Sequence, residues 1–266
     1  MCCYRKAWLA VVMLVLVAAC AAPRPAVKIA LVAPFEGRWR HVGYDVFPAF
    51  RLAIREHAQR LSPVAVTFIA FDDRGDPEMA TRVAQQIVRD PEVVGVIGHF
   101  ALSTTLAALP VYTQAGMPLL APHTPADALP AHPLVFRMGP SRHDAPQHHD
   151  ATPCAEVRRA LPLGTPFGAC VGDAPTPQAL PAAHRALAEF TRLSLGPQPT
   201  PRSIVGYDAA QVLLAAIDAA AQRRIPPTRD DVAAALRTVR HVGLLGTITF
   251  DAEGRWREAP TWAFAP

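Results

Sequence analysis

The chain has 266 residues, 51 % of them apolar, and a formal net charge of +4. That length allows one or two domains with a real core, and so small a charge leaves no dense basic stripe of the kind that binds nucleic acid. Without Arg5 and Lys6 the 26 basic residues fall to 24 against 22 acidic ones, so long-range steering of anionic partners is slight.

The N-terminus reads as an export signal. Arg5 and Lys6 precede an uncharged apolar run, Ala7 to Ala19. The run is shorter than the roughly 20 residues a membrane span needs, and it suits the core of a signal peptide. It ends in Val17-Ala18-Ala19-Cys20, which resembles a bacterial lipobox. Residues 1–19 are then the signal peptide, Cys20 the lipidation site, and residues 20–26 a short lipidated tether. Two or three acyl chains anchor stably, at about 0.8 kcal/mol per buried methylene. The expected location is the cell envelope, facing the periplasm or the exterior. Cys154 and Cys170 remain in an oxidising compartment. They either pair, closing a loop worth roughly 3 kcal/mol in the chain-entropy account, or stay as two free thiols.

Val27 to Ala33 is a continuous apolar run, the pattern of a strand buried on both faces of a parallel sheet. Gly43 to Arg60 has helical periodicity with a polar face of Arg51, Arg55 and Gln59; Pro48 fits it only near a first turn. Val64 to Phe71 is a second strand. Asp76-Pro77 reads as N-cap and first residue of a helix to about Arg89. Val93 to Gly98 is a third strand, Ser103 to Ala115 a third helix closed by Gly116, and Met117 to Ala121 a fourth strand. Leu134 to Met138 is a further short one. The alternation predicts an α/β fold, a Rossmann-like parallel sheet sandwiched by helices.

From Gly139 to Pro181 the periodicity lapses and prolines accumulate. His143, His148 and His149 fall there, but without the spacing of a metal site, and no metal is assigned. Order resumes with helices at Ala183 to Leu193, Ile204 to Ala221, and from Thr228 to near Arg240. Leu244 to Phe250 reads as a strand, Asp251 to Gly254 as a turn, and Trp262 to Ala265 as a last strand. No nucleophile elbow, zinc-protease, paired-cysteine or phosphate-loop motif occurs, so neither an enzyme nor a cofactor is indicated.

Several stretches together resemble the branched-chain amino-acid binding proteins of ABC importers, which have the type I periplasmic-binding fold. They are KIALVAPFEG (Lys28 to Gly37), FDDRGDPEMATRVAQQIV (Phe71 to Val88), VVGVIGHF (Val93 to Phe100), PVYTQAGMPLLAPHT (Pro110 to Thr124), LVFRMGPS (Leu134 to Ser141), YDAAQVLLAAIDAA (Tyr207 to Ala220) and GLLGTITFDAEG (Gly243 to Gly254). The resemblance implies a lipid-anchored solute-binding component that delivers a small ligand to permease subunits. It implies that the loops at Leu102, Ser103 and Thr104 and at His123 and Thr124 hold the ligand's carboxylate and ammonium. In strict alignment Leu102 and Pro125 stand where hydroxyl residues usually sit, with Ser103 and Thr124 beside them. Gly75 and Ala101 stand where relatives have a cysteine pair.

The departure lies in the middle. Residues 27–138 form the first part of the binding lobe and 182–266 return to it, leaving residues 139–181 as a Pro-rich stub in place of a second lobe. About 40 residues cannot hold several βα units when one βαβ needs about 30. Ligand held by one lobe stays partly in water, so weak binding is expected. The alternative is a lipid-anchored interaction or sensory protein that uses the lobe as a scaffold without transport.

Overall fold

A computed structural model describes residues 24–139 and 201–259. Five parallel strands form the sheet: β1 (Ala26–Ala33), β2 (Ala65–Asp72), β3 (Val93–Ile97), β4 (Leu119–Ala121) and β5 (Val135–Arg137), in the order β2-β1-β3-β4-β5. Helices α1 (Arg40–Ala58), α2 (Pro77–Val88) and α3 (Leu102–Gln114) connect them, and α4 (Pro201–Ala221) and α5 (Arg229–Thr238) follow. A hairpin of β6 (His241–Gly243) and β7 (Gly246–Ile248) comes last.

Strand β1 shows why the sheet is buried twice. Val27, Ile29, Leu31 and Ala33 pack on one face with α1, α4 and α5, while Ala30 and Val32 pack on the other with α2 and α3. The period of two sends alternate side chains to opposite layers, and each buried Ile, Leu or Val contributes about 1.5–3 kcal/mol. Gly95 in β3 lets α4 come close, since a Cβ there would stand 3.0 Å from the Leu213 side chain. Residues Arg202–Ala221 are long and apolar enough to cross a membrane by composition, yet most of that stretch is buried inside the fold. It is the central core helix.

Polar groups fasten α1 to α4. Tyr207 donates its hydroxyl to Glu56 at 2.5 Å, and the Gln211 amide donates to the same carboxylate at 2.9 Å. His57 Nε2 and the Ser62 hydroxyl lie 3.0 and 2.6 Å from Asp218. Serine, histidine and aspartate meet there, but both polar groups bond the carboxylate, so the imidazole does not face the hydroxyl as a nucleophile's base would.

Two arginines clamp the layers. Arg229, at the start of α5, donates to the carbonyls of Val88, Asp90, Val93 and Ala115. It thereby gathers the C-terminal ends of α2 and α3, where a cation is favoured. Arg137 is 1 % exposed; its guanidinium donates to the carbonyls of Ala126, Leu129 and Glu253 and ties the turn at 251–254 to the edge of β5.

Two expectations need correction. Helix α1 begins at Arg40, so Pro48 sits in its ninth position rather than its first turn. Burial of Val46, Ala49, Phe50, Leu52 and Ala53 around it offsets the missing hydrogen bond. The run Leu244 to Phe250 is not one strand: the chain turns at Leu244 and Leu245, whose N–H groups donate to Asp208 of α4 at 2.8 and 3.0 Å. Helix α3 begins at Leu102, with Ala101 at its N-cap position and no side chain bonded there. The helix expected at Ala183 to Leu193, the strand at Trp262 to Ala265, and Cys20, Cys154 and Cys170 lie outside the described residues.

Candidate functional site

In open parallel sheets, ligands settle beyond the C-terminal strand ends where the strand order reverses. Here the order reverses between β1 and β3. The loops that meet at this edge follow β1 (Pro34 to Trp39), β2 (Asp73 to Asp76), β3 (Gly98 to Ala101) and β4 (Pro122 to Pro125).

Each loop is held by a specific side chain. Asp72, at the end of β2, accepts the N–H groups of Phe35 at 2.7 Å, Glu36 at 3.3 Å and Arg74 at 2.9 Å. It thus sets the loops after β1 and β2 together. Asp73 turns inward. Its Oδ1 accepts the Gly75 N–H at 2.9 Å, and its Oδ2 lies 2.7 Å from His99 Nδ1. His99 Nε2 lies 3.2 Å from the Tyr112 hydroxyl. All three side chains are fully buried. A carboxylate at Asp73 accepts from Nδ1–H, which leaves Nε2 to accept the tyrosine proton. Burial first, and the Asp73 charge second, push the Tyr112 phenol far up, so it stays a donor.

The loop after β4 joins through threonines. Thr105 and Thr124 share a hydroxyl hydrogen bond of 3.2 Å, and Thr105 also donates to the Ala101 carbonyl at 2.7 Å. Thr104 turns its hydroxyl onto the same carbonyl at 3.0 Å. Ser103 is exposed on the first turn of α3, and Leu102 is half-buried. No side chain caps this helix, so its first N–H groups and positive dipole end meet the crevice. His123 is half-buried, and burial, then the Arg202 charge, push its imidazole down to about 3. It is therefore neutral at physiological pH.

The sequence reading placed ligand contacts at Leu102, Ser103, Thr104, His123 and Thr124. The structure brings these two loops together, but through Thr105 and Thr124. Ser103 alone among the hydroxyl residues named is exposed. Sequence reasoning did not join Asp73, His99 and Tyr112, which sit on three different segments of the chain. The rim adds aromatics: Trp39 is 44 % and Tyr44 59 % exposed, with the Arg38 guanidinium 4.8 Å from the Trp39 ring. An open cavity of about 400 Å³ lies elsewhere, between β5, α5 and the turn at 251–254, and is lined by His132, Phe136, Arg237 and Asp251. It does not coincide with the crevice.

The family described as periplasmic binding protein matches residues 26–153, just under half of the chain. An amino acid binding protein of Pseudomonas aeruginosa is 33 % identical over 57 residues, which cover 21 % of this chain and 15 % of that protein. The chain therefore matches only a small part of that curated relative's length. Among solved structures, a putative branched-chain amino acid ABC transporter protein from Rhodospirillum rubrum aligns with a TM-score of 0.65 at 20 % identity, covering 87 % of this chain and 94 % of that one. The substrate-binding protein LivJ from Streptococcus pneumoniae, solved with isoleucine, aligns at 0.67 and 14 % identity over the same shares. A solute-binding protein from Rhodopseudomonas palustris, solved with benzoate, aligns at 0.65 and 14 % identity, covering 88 % and 91 %. The fold is that of a type I periplasmic binding protein, and the resemblance drawn from the residues holds.

Proposed function

We infer that the chain, which carries the periplasmic binding protein pattern over residues 26–153, is the lipid-anchored solute-binding component of an ABC importer. Its ligand is a branched-chain amino acid or a similar small carboxylate, passed to permease subunits of the membrane. The observation that carries this reading is the uncapped start of α3, set at the reversal of strand order. Free N–H groups there suit a carboxylate, and Ser103 adds an exposed hydroxyl. His123, uncharged, and Thr124 border the same space. The relatives solved with isoleucine and with benzoate support a carboxylate in general rather than one side chain. The chemistry asked of these residues is reversible binding, with no covalent step.

With a reduced second lobe the ligand keeps part of its hydration, and affinity is low. Calorimetry on the mature chain with leucine, isoleucine and benzoate tests this. Weak binding that depends on the carboxylate is expected. A dissociation constant of about 1 µM or tighter would contradict the reduced lobe, and loss of all response at millimolar ligand would contradict the site. Exposure of Trp39, Tyr44 and Leu106 favours a second reading, in which this edge docks a protein partner and the lobe serves as a scaffold.

A further inference from the structure

The end of the sheet opposite the crevice carries its own pattern. All five strands run parallel, so their N-terminal ends share one end of the molecule. The chain enters there: the Pro25 carbonyl accepts the Ala65 N–H at 2.9 Å, at the start of β2. Leu61, in the loop leading into β2, is 98 % exposed, and Ile225, in the loop between α4 and α5, is 53 % exposed. Bonds from Arg229 to the Asp90 and Val93 carbonyls fix that second loop to the same end. Arg24, Arg89, Arg223 and Arg224 are exposed around these two residues. Nearby carboxylates partly offset these charges: Asp90 and Glu92 lie 3.0 and 2.6 Å from Lys28, and Asp231, which caps α5 through Thr228, is close enough to Arg223 and Arg224 to feel their charges. Asp230, exposed at this end, offsets one of the charges.

We propose that this end is a docking face for an anionic lipid surface. The arginines meet headgroup phosphates, and Leu61 and Ile225 dip into the headgroup region. The inference rests on the lipid-anchor reading for its geometry. Arg24 is four steps along the chain from Cys20, and an extended chain spans at most about 3.6 Å per residue, so Arg24 lies within roughly 14 Å of an acylated Cys20. The tether thus presents this end, and not the crevice, to the bilayer. Two or three acyl chains already hold the protein to the membrane, so a basic patch beside the anchor sets which end of the fold faces the bilayer. In this pose the crevice points away from the membrane.

The test uses the mature chain carrying C20S, so that no acyl group contributes. Co-sedimentation at low salt is compared between vesicles containing phosphatidylglycerol and vesicles of phosphatidylcholine alone. Preference for the anionic vesicles is expected, with R223E/R224E weaker by at least roughly thirtyfold, about fivefold for each arginine removed before the repulsion of the two added glutamates, and L61S/I225S weaker on the same vesicles. Circular dichroism confirms that each variant folds. Equal partition to both vesicles, or undiminished binding by R223E/R224E, would overturn the proposal, as would dimer formation through this face in place of vesicle binding. The anchor itself is tested separately by the mass of the exported protein at Cys20, so the two readings fail independently.

Discussion

His99 Nδ1 stands 2.7 Å from Asp73 Oδ2, and neither side chain is exposed at all. This pair joins the loop after β2 to the loop after β3, and Tyr112 anchors it to the body of α3. Removing one partner strands the other without water. We expect D73A to cost about 1–3 kcal/mol in urea unfolding, because it leaves the buried His99 Nδ1–H without an acceptor. The D73A/H99A double variant should cost less than the sum of the single changes. Additive costs would show that the two residues do not act as a unit.

Arg229 serves four carbonyls of three different segments. Each hydrogen bond to a charged group is worth about 1.5–3 kcal/mol, though the four share one guanidinium and will not add. R229A should therefore lower stability by about 3 kcal/mol or more, and R229K should recover part of it. A thermal melt within a degree of the parent for R229A would remove the clamp from the account.

Asp208 is buried under the β6–β7 turn and is pushed up to about 7 by burial, against the opposing pull of the Leu244 and Leu245 N–H groups. Its pKa in the unfolded chain is near 3.8. Between those values the folded chain binds the extra proton, so stability from this group falls as pH rises from about 4 to about 7, by up to ~4 kcal/mol. Unfolding in urea at several pH values should show this slope in the parent and not in D208N. An identical slope in both would assign it elsewhere.

Gly98 has φ +138°, and a Cβ there would stand 2.3 Å from the Val32 carbonyl oxygen. G98A must therefore move either β1 or the loop carrying His99. A loss of about 1–3 kcal/mol is expected from the backbone conformation alone, and hydrogen exchange should quicken first in residues 99–105.

Much of the lobe was legible because its signals are local. The apolar runs of β1 and β3, the Asp76-Pro77 start of α2, and the Thr228 start of α5 with its Asp231 capping partner each depend on neighbours in the chain. What escaped depends on contacts between distant segments. The turn at Leu244 is set by Asp208, 36 residues away. Pro48 survives inside α1 because its neighbours are buried on both sides of it. In the site, the loops after β3 and β4 could be named from resemblance, but the choice of Thr105 over Ser103 as the linking hydroxyl depends on which side of the helix faces Thr124. The Asp73–His99–Tyr112 chain spans three elements and leaves no spacing to read.

On the proposed function, the first turn of α3 receives the ligand's carboxylate. Amide shifts of 15N-labelled mature chain, followed during titration with leucine and with leucinamide, test it most directly. Leucine is expected to move the amides of Leu102, Ser103 and Thr104 together with that of Thr124, and leucinamide, lacking the carboxylate, to move them far less. Equal shifts with both ligands, or shifts confined to residues outside these two loops, would contradict it.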